Sequence, residues 1–163
     1  ILSKAQLRMK YDGECRCEKP TRVCMKGNID GSYDSRNGIG GIGLVTRDCT
    51  GRAFFASSRH LERCNSALEA ELQACREGLI LGLQYTLLPI VLETDCLEAM
   101  LLIQSTEKVM STEAFIVREI KDLVQGNREI KLNKAQRSHN RISHWLAKKA
   151  RYEQITEIWI EKN

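Results

Sequence analysis

Three carboxylates stand where their spacing could do chemistry: Asp30 in "KGNIDGSYD", Glu71 in "ALEAELQACREGL" and Asp95 at the end of "IVLETD". Asp30 interrupts a run that otherwise reads as strand, where an ionised carboxylate is costly unless a cation or several donors meet it. Glu71 falls at the edge of a helical stripe of Leu68, Leu72, Cys75 and Leu79, from which it can look along a sheet surface; Glu77 projects the other way, toward water. Asp95 closes a strand, and ligands of open α/β sheets gather beyond the carboxyl ends of strands. Three such acids brought together repel, and the usual remedy is a divalent cation; oxygen-only ligands suit Mg2+, with Mn2+ as a substitute. A pair of these ions can activate water and stabilise both the attacking and the leaving oxygen in phosphodiester hydrolysis. Spacing alone supports a plainer account equally well: Asp30 as a turn residue before Gly31, Glu71 as a surface acid, Asp95 as the N-cap of the next helix.

The elements that must position these residues follow from periodicity. Val23 to Tyr33, Ile39 to Arg47 and Arg52 to Ser58 read as an antiparallel meander, the last two joined by a turn through Asp48 and Gly51. Ser66 and Glu69 form a capping box that opens a helix carrying the stripe around Glu71. "IVLETD" is a short buried strand, Cys96 to Gln104 and Thr112 to Gln125 are helices, and "REIKLNKAQ" alternates as a fifth strand. Asn140 can cap a last helix in which Ile142, Trp145, Leu146 and the Lys149 stem line one side. The order predicts a mixed five-stranded α/β sheet, with strands 1 to 3 antiparallel and strands 4 and 5 parallel to strand 1. Residues 1–20 read as a polar linker, 21–152 as the domain and 153–163 as a C-terminal tail.

The chain of 163 residues suits one domain, and 42% hydrophobic with 28% charged residues is ordinary globular composition. No apolar run approaches the length that crosses a bilayer, and the N-terminus lacks a signal-peptide core and begins with Ile, which points to a piece of a longer polypeptide. Seven cysteines, an odd number with no secretion signal, read as reduced thiols in the nucleus or cytoplasm. Cys15, Cys17 and Cys24 match no Cys-x2-Cys pair and lack a fourth ligand, which argues against zinc. The formal charge of +4 is uneven: from Arg118 onward 11 Lys and Arg face 6 Asp and Glu, leaving the rest at −1. That basic third, with Lys131, Lys134, Arg137, Arg141, Lys148 and Lys149, suits a phosphate backbone, although a solvated charged face is the commoner explanation for so small an excess. "GIGGIG", Gly38 to Gly43, fits a dinucleotide fingerprint but is followed by β-branched residues and a turn, so no nucleotide cofactor is expected; glycines that let a second strand pack closely explain it better.

Taken in order and spacing, "KGNIDGS", "GIGLVTRDCTG", "ALEAELQACREGL", "VLETD" and "SHNRISHWLAKKA" resemble the plant ribonuclease H-like domain of the type 1 ribonuclease H superfamily over about Val23 to Arg151. The resemblance implies a five-stranded mixed sheet flanked by helices and Mg2+-dependent cleavage of RNA in an RNA/DNA hybrid. It also implies that Asp30, Glu71 and Asp95 are the first three carboxylates of the site, with Asp30 the central ligand.

The sequence departs from the family pattern in three places. His144 stands where the fourth acid of N-x-x-A-D-x-L-A would fall, so that the site reads Asp-Glu-Asp-His. Ala67 and Leu68 stand where many active members carry an Asn pair that touches the hybrid, and the loop before the last helix is short, with only His139 nearby. His144 projects away from the Ile142 and Leu146 stripe and can face the cleft. Two functions therefore compete: a nuclease using Asp30, Glu71, Asp95 and His144, and a nucleic-acid-binding module that cleaves poorly or not at all. A retroelement origin is compatible with both.

Overall fold

The computed structural model describes residues 23–161, so the expected linker of residues 1–20, with Cys15 and Cys17, lies outside the described residues. Among the described residues six strands and four α-helices follow one another as β1 (Met25–Asp34), β2 (Ile39–Arg47), β3 (Ala53–Leu61), α1 (Ala67–Tyr85), β4 (Ile90–Thr94), α2 (Leu97–Gln104), α3 (Ala114–Val124), β5 (Ile130–Lys134), α4 (Arg141–Glu153) and β6 (Glu157–Ile160). A short 3-10 turn, Arg137–His139, leads into α4. The strands form one sheet in the order β5-β4-β1-β2-β3-β6. β1, β2 and β3 are antiparallel neighbours, while β4 runs parallel to β1 and β5 parallel to β4, as the meander followed by crossover helices requires.

The expected fold class holds, with one more strand than expected. The segment read as a tail turns at Gln154, whose φ of 52° puts it in the left-handed region, and then pairs as β6 antiparallel to β3. The alternation in "EIWI" is the signal for it: Trp159 packs on the small core beneath α4 with Val45, Ala56 and Leu146, and the intervening isoleucines remain exposed.

Small residues decide how closely the helices reach the sheet. A Cβ on Gly43 would lie 2.6 Å from the Ala147 amide nitrogen and closer still to the Ser143 carbonyl, and one on Gly41 would lie 2.8 Å from the Arg151 amide nitrogen. The glycines of "GIGGIG" thus admit α4 to backbone contact with β2. On the opposite face Gly31 does the same for α1, since a Cβ there would lie 2.5 Å from the Glu71 amide nitrogen. Along α1, Gly78 and Gly82 rest against Ile29, Leu92, Ile90 and Met25. Because α1 is covered by the sheet and by α3, its buried arc is wider than the leucine stripe alone. Glu77, expected to face water, is therefore buried, and its Oε2 accepts a hydrogen bond of 2.6 Å from Arg59 on β3.

Gly43→Ala should overpack the β2–α4 contact and cost about 1–3 kcal/mol. Urea unfolding without metal measures it, and Ser35→Ala in the exposed β1–β2 turn should leave the midpoint where it is.

Candidate metal centre and active site

Asp30 is no turn residue. It lies inside β1, opposite Gly43 of β2, and is 3% exposed. The pairing of β1 with β4 stops at Asn28 and Glu93, and β4 itself ends at Thr94. Beyond that point the two strands no longer pair, which leaves Asp30 without a β4 neighbour on that edge of β1. Asp95 follows directly. Thr94 Oγ1 accepts from the Cys96 amide at 3.1 Å, and Cys96, not Asp95, is the N-cap of α2, its Sγ accepting from the Ala99 amide at 3.5 Å. Relieved of capping, the Asp95 carboxylate comes close to Asp30. Glu71 reaches the same place from α1, which Gly31 allows to lie against β1.

One carboxylate oxygen from each of Asp30, Glu71 and Asp95 lies within 4.8 Å of the others. The electrostatic consequence is large. Burial pushes the Glu71 carboxyl up to about 9, aided by the charges of Asp30 and Asp95 and opposed by the Gly31 amide. Burial likewise pushes Asp30 up to about 6, although its hydrogen bond and charge interaction with His144 act the other way. Glu71 Oε2 is buried and has no hydrogen-bond partner among the described residues. A lone acceptor of this kind inside a ring of acids is what a divalent cation would satisfy, and an all-oxygen donor set suits a hard ion. The residues present therefore fit such an ion.

The last helix brings His144 to the same point. Asn140 occupies the N-cap position of α4 but does not cap it: its buried Nδ2 donates to the Ile29 carbonyl at 2.8 Å, next to Asp30, and its Oδ1 accepts from Ser143 Oγ at 2.6 Å. This tie fixes the first turn of α4 on β1, and His144 Nδ1 then sits 2.9 Å from Asp30 Oδ2. His144 is half-exposed, faces the cleft and touches Asp30 rather than sharing the close contact of the three acids. Asn140 is the functional residue whose role sequence reasoning misplaced, since a cap and a cross-link to a strand 111 residues away look alike in one dimension.

The cations named from the sequence divide into two groups. Arg137 lies at the site, its Nε 3.8 Å from Asp95 Oδ2, with the side chain otherwise almost fully exposed. Lys148 is exposed, and its charge reaches Asp30; Lys134, Arg141 and Lys131 are exposed as well, with Lys131 3.8 Å from Glu129. Lys149 differs. Its ammonium is held within the fold by Glu157 at 3.3 Å and Glu153 at 3.7 Å, and it lies over the rings of Trp145 and Trp159. Internal pairing leaves it a poor phosphate ligand, in contrast to the expectation from its charge alone.

Both raised acids have folded values above their unfolded ones, so the folded chain keeps protons that the unfolded chain has released. Their contribution to stability is complete below the unfolded values of 3.8 and 4.5 and is lost as pH rises through about 6 for Asp30 and about 9 for Glu71. The metal-free protein should lose up to about 1.4 kcal/mol per pH unit for each group within its window. Glu71→Gln should remove most of the slope between pH 6 and 9, and Mg2+ should raise the melting temperature more at pH 8.5 than at pH 6; thermal melts across pH, with and without the ion, check both.

A search among curated proteins finds no match by sequence. Solved structures of similar fold include the ribonuclease H1 of the halophilic archaeon Halobacterium salinarum NRC-1, at 16% identity and a TM-score of 0.73, covering 80% of this chain and 98% of that one. The N-terminal ribonuclease H domain of rv2228c from Mycobacterium tuberculosis, solved as a fusion with maltose-binding protein, is 18% identical with a TM-score of 0.71 over 80% and 95% of the two chains. LC11 ribonuclease H1, isolated from compost and solved in complex with an RNA/DNA hybrid, is 20% identical with a TM-score of 0.63 over 80% and 98%. At these identities the likeness establishes the fold. A family model described as reverse transcriptase-like matches residues 28–150, from β1 to the end of the α4 core, and the chain accordingly belongs to the reverse transcriptase-like family, built on the ribonuclease H fold.

Proposed function

We propose that the chain is a divalent-metal-dependent endonuclease that cleaves the RNA strand of RNA/DNA hybrids, a ribonuclease H of type 1. The observation that carries this reading is the convergence of Asp30, Glu71 and Asp95 within 4.8 Å around an unpartnered carboxylate oxygen. The fold supports it, since similar structures are ribonuclease H1 proteins and one of them holds an RNA/DNA hybrid.

Asp30, Glu71 and Asp95 would hold Mg2+, or Mn2+ in its place, with His144 at the margin. When bound, the ions supply water activation and charge stabilisation for phosphodiester hydrolysis. The chain's own residues do the rest. Asp30 stands between the other two acids and the imidazole of His144, whose Nδ1, when protonated, donates to Oδ2 and fixes the carboxylate's orientation. With Nδ1 so engaged, Nε2 is the nitrogen that can turn toward a second cation. Arg137, Arg141, Lys148, Lys131 and Lys134 would meet phosphates along the open face, and Arg137, tied to Asp95, is placed to bring a phosphate to the acids.

A second reading, a binding module that cleaves poorly or not at all, is favoured by His144 in the fourth acid's place and by Ala67 and Leu68 where many members carry an Asn pair. The plant affiliation and the retroelement origin rest on the sequence resemblance, and a nuclear or cytoplasmic location on cysteine usage. Among the described residues no helix is long and apolar enough to cross a membrane.

The purified chain incubated with labelled RNA/DNA hybrid and Mg2+ or Mn2+ should cut the RNA strand, and Asp30→Asn should abolish the cut. Cleavage surviving in that variant would expose a contaminant and sink the enzyme reading. An imidazole nitrogen suits Mn2+ better than Mg2+, so the parent should be faster with Mn2+, and His144→Asp should raise the Mg2+ rate. If His144→Ala matches the parent with both ions, the ring has no part in the site.

Hybrid affinity should fall linearly with the logarithm of salt concentration. Replacing Arg141 and Lys148 together by Ala should reduce that slope by about 2, as two phosphate contacts are lost. Binding isotherms at several salt concentrations decide this.

A further inference from the structure

The outward ridge of α4 carries residues that the acidic centre does not use. Arg141, Trp145, Lys148 and Tyr152 recur at helical spacing on the side opposite the buried Ser143, Leu146, Ala147 and Ala150. Trp145 is 47% exposed and Tyr152 72% exposed, a large aromatic area to leave in water. Yet Trp145 is braced: the Lys149 ammonium lies 6.0 Å from its ring centroid and 5.6 Å from that of Trp159, and Glu157 and Glu153 hold that ammonium in turn. A ring supported at its base and half open to solvent is a pre-organised platform, and it loses little conformational freedom when something stacks on it. Its exposed neighbours along the ridge, Arg141 and Lys148, are cations, so the surface complements an anion rather than an apolar peptide. His144, one residue before Trp145, reaches Asp30, so the platform begins one helical step from the acidic centre.

We propose that this ridge binds an unpaired nucleotide flanking the hybrid, with Trp145 stacking on its base while Arg141 and Lys148 beside it meet the adjoining phosphates of the hybrid. Base faces inside a duplex are covered by their neighbours, and a convex helix has no means of entering the stack. An indole on such a ridge has access to a base that lies outside the paired region, but not to one within the stack. The inference rests on the nucleic-acid-binding reading above and narrows its substrate to hybrids that continue into single strand.

The chain has two tryptophans, so Trp159→Phe leaves Trp145 as its only indole reporter. That protein, in EDTA so that no cleavage occurs, is titrated with a blunt RNA/DNA hybrid and with the same hybrid extended by an unpaired RNA or an unpaired DNA overhang. Trp145 emission should be quenched by an overhang and not by the blunt duplex, and the overhang that quenches identifies the strand. In the otherwise unaltered chain, Trp145→Ala should weaken binding of the overhang hybrid about tenfold, by anisotropy of the labelled nucleic acid, and leave the blunt hybrid's affinity unchanged. Equal quenching by blunt and extended hybrids, equal quenching by polyglutamate, or an unchanged affinity in Trp145→Ala would each overturn the proposal. Absence of hybrid cleavage by the parent in both Mg2+ and Mn2+ would overturn the nuclease reading alone, because the quenching and affinity measurements are made without metal.

Discussion

Backbone contact between helix and sheet on both faces of the central strands is the constraint on which the rest of the molecule depends. α1 meets β1 at Gly31, and α4 meets β2 at Gly41 and Gly43; at each point a side chain would collide with main-chain atoms of the helix. A helix separated from the sheet by ordinary side chains would sit about 10 Å away, too far for a glutamate on one face and a histidine on the other to converge on one aspartate. The glycines are thus part of the site although none of them carries a functional group. The Asn140 link to Ile29 completes the arrangement, because it fixes the rotation and height of α4 at the turn that carries His144.

That geometry places the acids under tension. Glu71 and Asp30 are held largely out of water beside a third carboxylate, and burial together with mutual repulsion drives both toward the protonated form. A fold selected for stability alone would not retain this cluster, since an uncompensated buried charge is among the most destabilising features a core can hold. A site that takes up divalent cations turns the same cost into affinity, because the repulsion relieved on binding is repulsion already present in the folded chain. His144 lessens the tension on one side only, through Asp30.

Elsewhere polar groups are handled differently. Glu77 is buried but paired with Arg59, and Asn28 and Lys26 both reach Glu93, so those charges on the sheet are locally satisfied. Lys149 likewise joins α4 to β6 through Glu157 and the two indoles, which gives the short edge strand a second attachment besides its ladder with β3. The contrast sets the Asp30, Glu71 and Asp95 group apart, since like charges crowd one another there and Glu71 Oε2 has no hydrogen-bond partner among the described residues.

Periodicity and turn chemistry in the sequence by themselves determined the order of strands and helices, the mixed sheet and the helix that carries Glu71, because hydrophobic spacing and caps are local properties. The three acids could be picked out from where those elements end, but spacing left Asp30 as turn residue or ligand and Asp95 as cap or ligand. Only the tertiary structure decided: β1 runs on past the end of β4, and Cys96 takes the cap, so both aspartates come together with Glu71. It also decided that Glu77 is buried, that Asn140 cross-links rather than caps, that Lys149 is held internally and that the supposed tail forms β6. Each of these depends on what lies across the sheet or beside the helix, at separations where a one-dimensional pattern carries no information about distance.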